Sequence, residues 1–498
     1  MPKYNFPSAQ TILIILAGLV ALLTWIIPAG QFDKLSFDKE HSKFVRTGQG
    51  IERVYKATQE TLDALNIKIP LEKFENGDIW KPVGIPGTYQ KLEAKPQGLL
   101  QFIQSPIKGI MAALDIVLLV LIIGGFIGIT NFTGAFDVGI AWLAIKLKGR
   151  EAILIVLVTL FIAIGGTTFG LAEETIAFYP ILIPVFLAAK YDAMVAVACI
   201  YIGSSIGTMA STVNPFSTII ASNAAGINWT DGINNRFVML VLGIIVCVLY
   251  IIRYAEKVKN DPTKSIIYAQ KEEIEKLFLH QPSNVIPKFT TKIILILITF
   301  ISCFGIMIFG VSILDWWFLE MTSVFLVGAI VIGFIYGINE SKFVDVFMKG
   351  ANDLLSVAFI IGLARGITII MDDGLISDTL LYYSSNLTEG MNKGLFINVM
   401  MYLYAGLSFF IPSSSGMAVL TMPIMAPLAD GVGIGREMIV NAYQYGMGLF
   451  AFISPTGLIL ASLTMVKVGY DKWLKFVMPL VGILLIMTML LLTISVYL

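Results

Sequence analysis

Seven uninterrupted apolar runs, each about as long as a bilayer is thick, constrain this chain more than any other feature. They cover residues 9 to 29, 110 to 131, 237 to 253, 292 to 311, 317 to 337, 350 to 371 and 475 to 497. A helix needs about 20 such residues to cross the hydrocarbon core. Apolar residues make up 57% of the 498 and charged ones 14%, a surplus that no aqueous core of this size buries. The reading is an all-α polytopic membrane protein. The first run ends in Trp25 to Gly30 without a small-residue cleavage site and is too long for a signal-peptide core, so it reads as a retained span.

Two further apolar stretches, 151 to 226 and 393 to 465, are broken repeatedly by Gly, Pro, Ser, Thr and Asn. Each reads as a re-entrant hairpin followed by a broken helix: 151 to 190 then 192 to 226, and 393 to 428 then 437 to 465. With hairpin arms of about 15 residues, too short to cross, the count is about nine transmembrane helices plus two hairpins. Residues 31 to 100 form one hydrophilic insert with weak strand or helix patterns at Val45 to Glu60 and Tyr89 to Glu93. The connection 255 to 291 carries Lys257, Lys259, Lys264, Lys271, Lys276 and Lys288, and the link 146 to 150 reads Lys-Leu-Lys-Gly-Arg. Positive charge places both on the cytoplasmic side, while an insert beyond about 60 residues translocates regardless of charge.

Self-comparison exposes a duplication. Pro-Ile-Lys-Gly-Ile-Met at 106 to 111 returns as Phe-Met-Lys-Gly-Ala-Asn at 347 to 352, and Pro180 with Pro184 return as Pro423 with Pro427. Asn214-Pro215 with Ala221-Ser222 return as Ser454-Pro455 with Ala461-Ser462, and Arg236-Phe-Val-Met returns as Lys475-Phe-Val-Met. Four collinear anchors at nearly one offset mark two repeats, 101 to 254 and 312 to 498, joined by the unpaired span 292 to 311. With the N-terminus cytoplasmic, the first repeat starts and ends inside, the linking span carries the chain out, and the second repeat runs the path upside down. The two repeats are therefore of inverted topology, with the C-terminus and the insert 31 to 100 outside and the spans in the cell inner membrane.

Non-helical backbone at membrane depth leaves peptide groups unpaired, at several kcal/mol each, unless it lines a cavity or binds something. Two tips, around Gly165 to Glu174 and Phe410 to Gly416, and two breaks, at Thr212 to Pro215 and Ser454 to Gly457, are the expected anatomy of a secondary transporter. Helices starting after Pro215 and Pro455 offer free N–H groups to a carboxylate. The hydroxyls of Thr167, Thr168, Thr212, Ser413, Ser414, Ser415, Ser454 and Thr456, with Asn214 and Gly170, complete the candidate substrate site; the same small polar residues also serve to pair neighbouring helices. Thr167, Asn214, Ser414 and Ser454 mark a candidate Na⁺ site.

Charges inside spans are costly and functional by default. Glu173 and Glu174 sit at the first tip, and Arg365 lies deep in its span. One arrangement has a glutamate holding the cationic side chain of a basic amino acid. Another has a glutamate carrying a coupling proton while Arg365 binds an acidic substrate. A third is an Arg-Glu pair that only staples the scaffold. Asp372 and Asp373 fall at the end of that span, where solvation is expected.

Other classes are excluded by composition. Lys+Arg and Asp+Glu number 34 each, so no basic excess suggests nucleic acid. Cys199, Cys247 and Cys303 lie within apolar runs without metal-like spacing, and His41 and His280 lie in polar segments. No cofactor, metal or disulfide framework is expected, and neither an intramembrane enzyme nor a channel fits as well as a carrier.

The opening Phe-Pro-Ser-Ala-Gln-Thr-Ile-Leu, then Trp25-Ile-Ile-Pro-Ala-Gly-Gln-Phe-Asp33, Gly362-Leu-Ala-Arg-Gly-Ile367 and Ile411-Pro-Ser-Ser-Ser-Gly416, resemble the YfcC-like carriers. These are grouped with the DcuC-type dicarboxylate carriers in the ion transporter superfamily. The resemblance implies inverted repeats with re-entrant hairpins, a homodimer, and transport domains that move like elevators against a fixed scaffold. It also implies basic amino acid antiport, although the parent family name points to dicarboxylates. The tips here read Gly-Thr-Thr-Phe-Gly and Pro-Ser-Ser-Ser-Gly, without the Asn of sodium-coupled relatives.

Overall fold

The computed structural model of the chain describes residues 7–48, 51–79, 81–136, 138, 139, 142, 150–278, 289–314, 316–386 and 390–498. Ten helices among them are long and apolar enough to cross a membrane. Of the basic link 146 to 150 only Arg150 is described; His280 and Lys288 also lie outside the described residues.

Helix α1 (Ala9–Ile26) opens on Ser8, whose hydroxyl accepts from the Thr11 amide. The insert that follows is built largely of strand. β1 (Gly30–Gln31), β2 (Lys34–Asp38), β3 (Lys43–Gly48), β4 (Ile51–Lys56), α2 (Gln59–Ala64), α3 (Leu71–Glu75), β5 (Val83–Gly84) and β6 (Gln90–Lys91) follow in order. β4-β3-β2-β5 make one antiparallel sheet, and β1 pairs with β6 at its base. The sheet exists because Leu35, Phe44 and Val83 alternate with polar neighbours and meet Phe74 and Leu62 in a small dry core. The all-α reading thus describes the membrane part, and the weak patterns near Val45 to Glu60 resolve as strand followed by helix.

The first half comprises α4 (Leu99–Ala112), α5 (Leu114–Phe132), α6 (Ala152–Phe169), a 3₁₀ turn at Glu173–Phe178, α7 (Tyr179–Ala188), α8 (Ala193–Met209), a π-helical turn at Pro215–Ile219, α9 (Ile220–Ala225) and α10 (Ile233–Asn260). After α11 (Lys271–Phe278), α12 (Thr291–Ile313) and α13 (Phe318–Tyr336) comes the second half. Its helices are α14 (Glu340–Asp353), α15 (Leu355–Asp373), α16 (Ser377–Asn386), α17 (Lys393–Phe410), α18 (Ser414–Val432), α19 (Arg436–Ala451), α20 (Ile459–Met465) and α21 (Tyr470–Ser495). α4, α5 and α6 each begin 241 residues before α14, α15 and α17.

Equivalent helices exchange partners across the halves: α4 packs on α15, and α5 packs on α14. Gly109 lies against the backbones of Gly362 and Gly366, and Gly350 against those of Gly124 and Gly128. Lipid offers no hydrophobic drive for helices to associate, so such small residues supply close van der Waals contact instead. Within each half the hairpin packs on the broken helix in the same way, Gly207 against the Ala163 carbonyl and Gly446 against that of Met401.

α10 has 28 residues and α21 has 26, so they span about 42 and 39 Å at 1.5 Å per residue. They lie side by side and antiparallel: Asn235 donates to Ser495 at 2.9 Å, and the Tyr250 hydroxyl donates to the Phe476 carbonyl at 2.5 Å. The far end of α10 meets both ends of the first hairpin, through Lys259 to Glu151 at 2.9 Å and Tyr254 to Asp192 at 2.7 Å. The second hairpin has its ends at the opposite extreme, where the Gly394 amide bonds the Tyr497 hydroxyl and Arg436 bonds the Ala225 carbonyl.

Arms of about 15 residues each, expected of the first hairpin, are a correction: α6 has 18 residues and α7 has 10. α6 and α17 have 18 residues each and α18 has 19, long enough to cross by length alone. The helix runs through Gly165, Gly166, Thr167 and Thr168 because the bare backbone of Gly166 lets α6 reach α8, where an added Cβ would stand 2.9 Å from the Ser204 carbonyl.

Candidate functional site at the hairpin tips

The first tip closes on the first break. Thr167, in the last turn of α6, accepts from the Thr212 amide at 2.9 Å, and the two hydroxyls stand 3.1 Å apart. Asn214 caps the turn that Pro215 opens, its Oδ1 accepting from the Phe216 amide at 2.8 Å, and its Nδ2 donates to the Gly166 carbonyl at 3.3 Å. Gly170 takes φ +76°, and a Cβ there would stand 2.8 Å from the Asn214 amide nitrogen. Thr167, Gly170, Thr212, Asn214 and Pro215 are therefore brought together. Thr168 is not, because its hydroxyl turns back to the Ile164 carbonyl at 2.6 Å.

Both glutamates open the 3₁₀ turn after the tip and are half-buried. Glu174 accepts from the Ala172 amide at 3.1 Å, so one of the pair satisfies backbone of its own hairpin. Asp115 stands at the start of α5. The sequence reading assigns Asp115 no role, because it lies near an end of its span.

The second tip is built from the same materials. Ser413 caps α18 by accepting from the Gly416 amide at 3.2 Å, and the Ser414 carbonyl accepts from the Tyr443 hydroxyl at 2.8 Å. At the second break, which contains Pro455, the Ser454 and Thr456 hydroxyls are 2.8 Å apart, and Thr456 donates to the Phe409 carbonyl at 3.3 Å. Ser415 accepts from Lys81 of the insert at 2.7 Å. Arg365 is exposed midway along α15, and among the described residues no ion pair joins it to Glu173 or Glu174. Asp372 and Asp373 are exposed at the end of that helix, and Asp373 pairs with Lys108 at 2.7 Å.

Two features escaped the sequence. One is Lys81, a lysine in a hydrophilic segment with no local mark. The other is a buried network joining the first break to α19, in which Gln444 donates to Thr218 at 2.5 Å and Thr218 lies 2.5 Å from Ser211; a glutamine inside an apolar helix was the available signal. Among the described residues no group of three or more His, Cys, Asp and Glu could hold a metal ion, so a cation at the tips would rest on hydroxyl and carbonyl oxygens. A cavity of about 250 Å³ lies away from the tips, between the end of α7 and the connection, lined by Lys190, Asp192 and Lys259 among others.

Residues 6–497 match the family described as DcuC, C4-dicarboxylate anaerobic carrier. The chain belongs to the DcuC family. It is thus a multi-pass membrane transporter and not an enzyme. This DcuC-family chain is 45% identical over 496 residues to an uncharacterized protein of Haemophilus influenzae, covering 99% of this chain and 97% of that one. It is 29% identical over 509 residues to the Escherichia coli K12 protein provisionally named basic amino acid antiporter YfcC, with 98% and 95% covered. Among solved structures, the YdaH transporter of Alcanivorax borkumensis aligns over 98% of both chains at 13% identity and a TM-score of 0.39.

Proposed function

We propose that this chain is a secondary carrier that exchanges basic amino acids of the arginine, ornithine and lysine type by alternating access. One observation carries the reading: the two tips bear opposite charge. Glu173 and Glu174 put two carboxyls at the first tip, whereas Lys81 brings an ammonium to Ser415 at the second. A solute with a carboxylate at one end and a guanidinium or ammonium at the other is complementary to that polarity. Arg365 adds support, because an exposed guanidinium midway along an apolar span is tolerable facing a water-filled path and costly facing lipid. The provisional name of the Escherichia coli relative points the same way.

In this reading the repeats have inverted topology and both hairpins are re-entrant. Hairpins and broken helices move together, elevator-like, against a scaffold of the crossed α4, α5, α14 and α15, in a homodimer of the inner membrane. The N-terminus and the connection 255 to 291 face the cytoplasm; the insert and C-terminus face outward. Coupling, where exchange does not suffice, falls to Na⁺ at the oxygens near Thr167, Asn214, Ser414 and Ser454 or to H⁺ at a glutamate, and uptake with and without Na⁺ separates the two.

The test is to measure dissociation constants of Glu173→Gln, Glu174→Gln and Arg365→Lys for arginine, ornithine and succinate. Each glutamate change should weaken basic amino acids about tenfold to a hundredfold, the worth of one charge-assisted contact. Unchanged glutamate variants, with loss confined to Arg365→Lys, would overturn the assignment. A sodium- or proton-coupled dicarboxylate carrier is the second reading, favoured by the Lys81 ammonium at the second tip and by Arg365 within its span, and succinate binding in the wild type would select it. A channel would show no acceleration of uptake by solute preloaded inside vesicles.

A further inference from the structure

Arg236, in the first turn of α10, is 0% exposed, yet its bonds are all to neutral groups. Nη1 donates to Asn441 Oδ1 at 3.1 Å and Nη2 to the Trp229 carbonyl at 2.5 Å. The acidic residues around it turn elsewhere. Asp231, in the loop before α10, accepts from the Asn228 amide at 3.1 Å. The carboxylate of Glu437, one turn before Asn441 on α19, lies over Gly435. Among the described residues no ion pair joins either of them to Arg236. The repeat does not demand this burial, because the equivalent Lys475 on α21 is exposed.

The guanidinium also stands among unused donors. Arg236 Nε, Asn441 Nδ2 and the Tyr445 hydroxyl are buried without a hydrogen-bond partner among the described residues. Asn441 and Tyr445 are likewise 0% exposed, and residues four apart share one face of a helix. Asn441 gives its oxygen to Arg236, so its unpaired atom is the nitrogen, and each of the three groups carries a hydrogen to donate. Arginine cannot shed its proton to escape burial. A buried charge without a counter-charge, ringed by unanswered donors, is among the costliest arrangements an interior can hold. Water would satisfy the donors and leave the charge; an anion answers both. Three fully buried side chains suit a monatomic ion better than a solute of amino acid size. We propose that Arg236, Asn441 and Tyr445 bind a chloride-sized inorganic anion between α10 and α19. Gln444, beside Tyr445, donates to Thr218 of the first break, so the anion holds the stretch of α19 from which that network is built. The site is separate from both tips and independent of the solute carried.

The experiment is equilibrium binding of radiolabelled chloride to the purified full-length protein, with thermal melting in chloride and in gluconate at equal ionic strength. The wild type should bind chloride saturably, with bromide competing, and should melt higher in chloride, the gap growing with the logarithm of its concentration. Arg236→Gln should abolish both effects, and Lys264→Gln, on the connection, should change neither. Tyr445→Phe removes one donor and keeps the ring, and should weaken chloride about tenfold to a hundredfold, the worth of one hydrogen bond to a charged group. Should Arg236→Gln not fold, Tyr445→Phe decides alone, because its hydroxyl has no protein partner to lose. A wild type without saturable chloride binding, or unchanged chloride affinity in either variant, overturns the proposal. Displacement of bound chloride by arginine or succinate would make the group a subsite for a solute carboxylate and overturns it as well.

Discussion

Asn235 donates to Ser495 at 2.9 Å and so ties the first turn of α10 to the last turn of α21. The two helices occupy equivalent places in the halves, after equivalent broken helices, yet they run in opposite directions. An antiparallel pair of repeat mates is what an inverted duplication requires. It also fixes which loops share a face: Glu151, Asp192, Lys259 and Lys467 gather at one extreme of α10, and Ala225, Gly394 and Arg436 at the other.

Labelling from intact cells should therefore distinguish the faces. Lys43→Cys in the insert is expected to react with an impermeant maleimide, and Lys264→Cys in the connection only after the cells are opened. The reverse pattern would sink the topology.

Asn214 is both cap and tie. Asn214→Ala removes the acceptor for Phe216 and the donor to Gly166, and should cost about 1 to 2 kcal/mol by its cap alone. Asn214→Ser, which keeps a neutral acceptor for the Phe216 amide, should cost less. In the carrier reading Asn214→Ala and the joint Ala replacement of Ser413, Ser414 and Ser415 also abolish uptake by protein that is still folded in the membrane. Normal substrate affinity in both would move the site elsewhere.

Gly207 has no room for a side chain. Gly207→Ala would drive a Cβ into the Ala163 carbonyl, so α6 and α8 must part, at about 1 to 3 kcal/mol for overpacking. Gly305→Ala, on α12 with nothing within 4 Å, should be neutral or stabilising, since alanine suits a helix better than glycine. Equal melting temperatures for the two variants would count against the tight α6–α8 contact.

Much of this molecule is decided by local properties that a sequence carries openly. Hydropathy alone marks α1, α5, α10, α12, α13, α15 and α21, because twenty apolar residues have one favourable environment. The interruptions at Thr212 to Pro215 and Ser454 to Gly457 mark the breaks because proline stands there among small polar residues, whereas Pro423, Pro427 and Pro479 are carried inside α18 and α21. Thr167 and Thr212 were each legible as polar residues at a tip and a break, but their bond to each other was not. What only the tertiary structure decided are relations between distant segments. Whether Thr168 faces the break or its own helix depends on a rotation of about 100° per residue along α6, below the resolution of any pattern. Among the described residues Arg365 makes no ion pair with either glutamate and is exposed on α15, the helix whose Gly362 and Gly366 meet Gly109 of α4. Lys81 reaches Ser415 because a sheet folded in the insert carries it there. Hydropathy is a property of one residue and its neighbours; the meeting of two side chains 334 residues apart is a property of shape, and it exists only once both halves and the insert have packed.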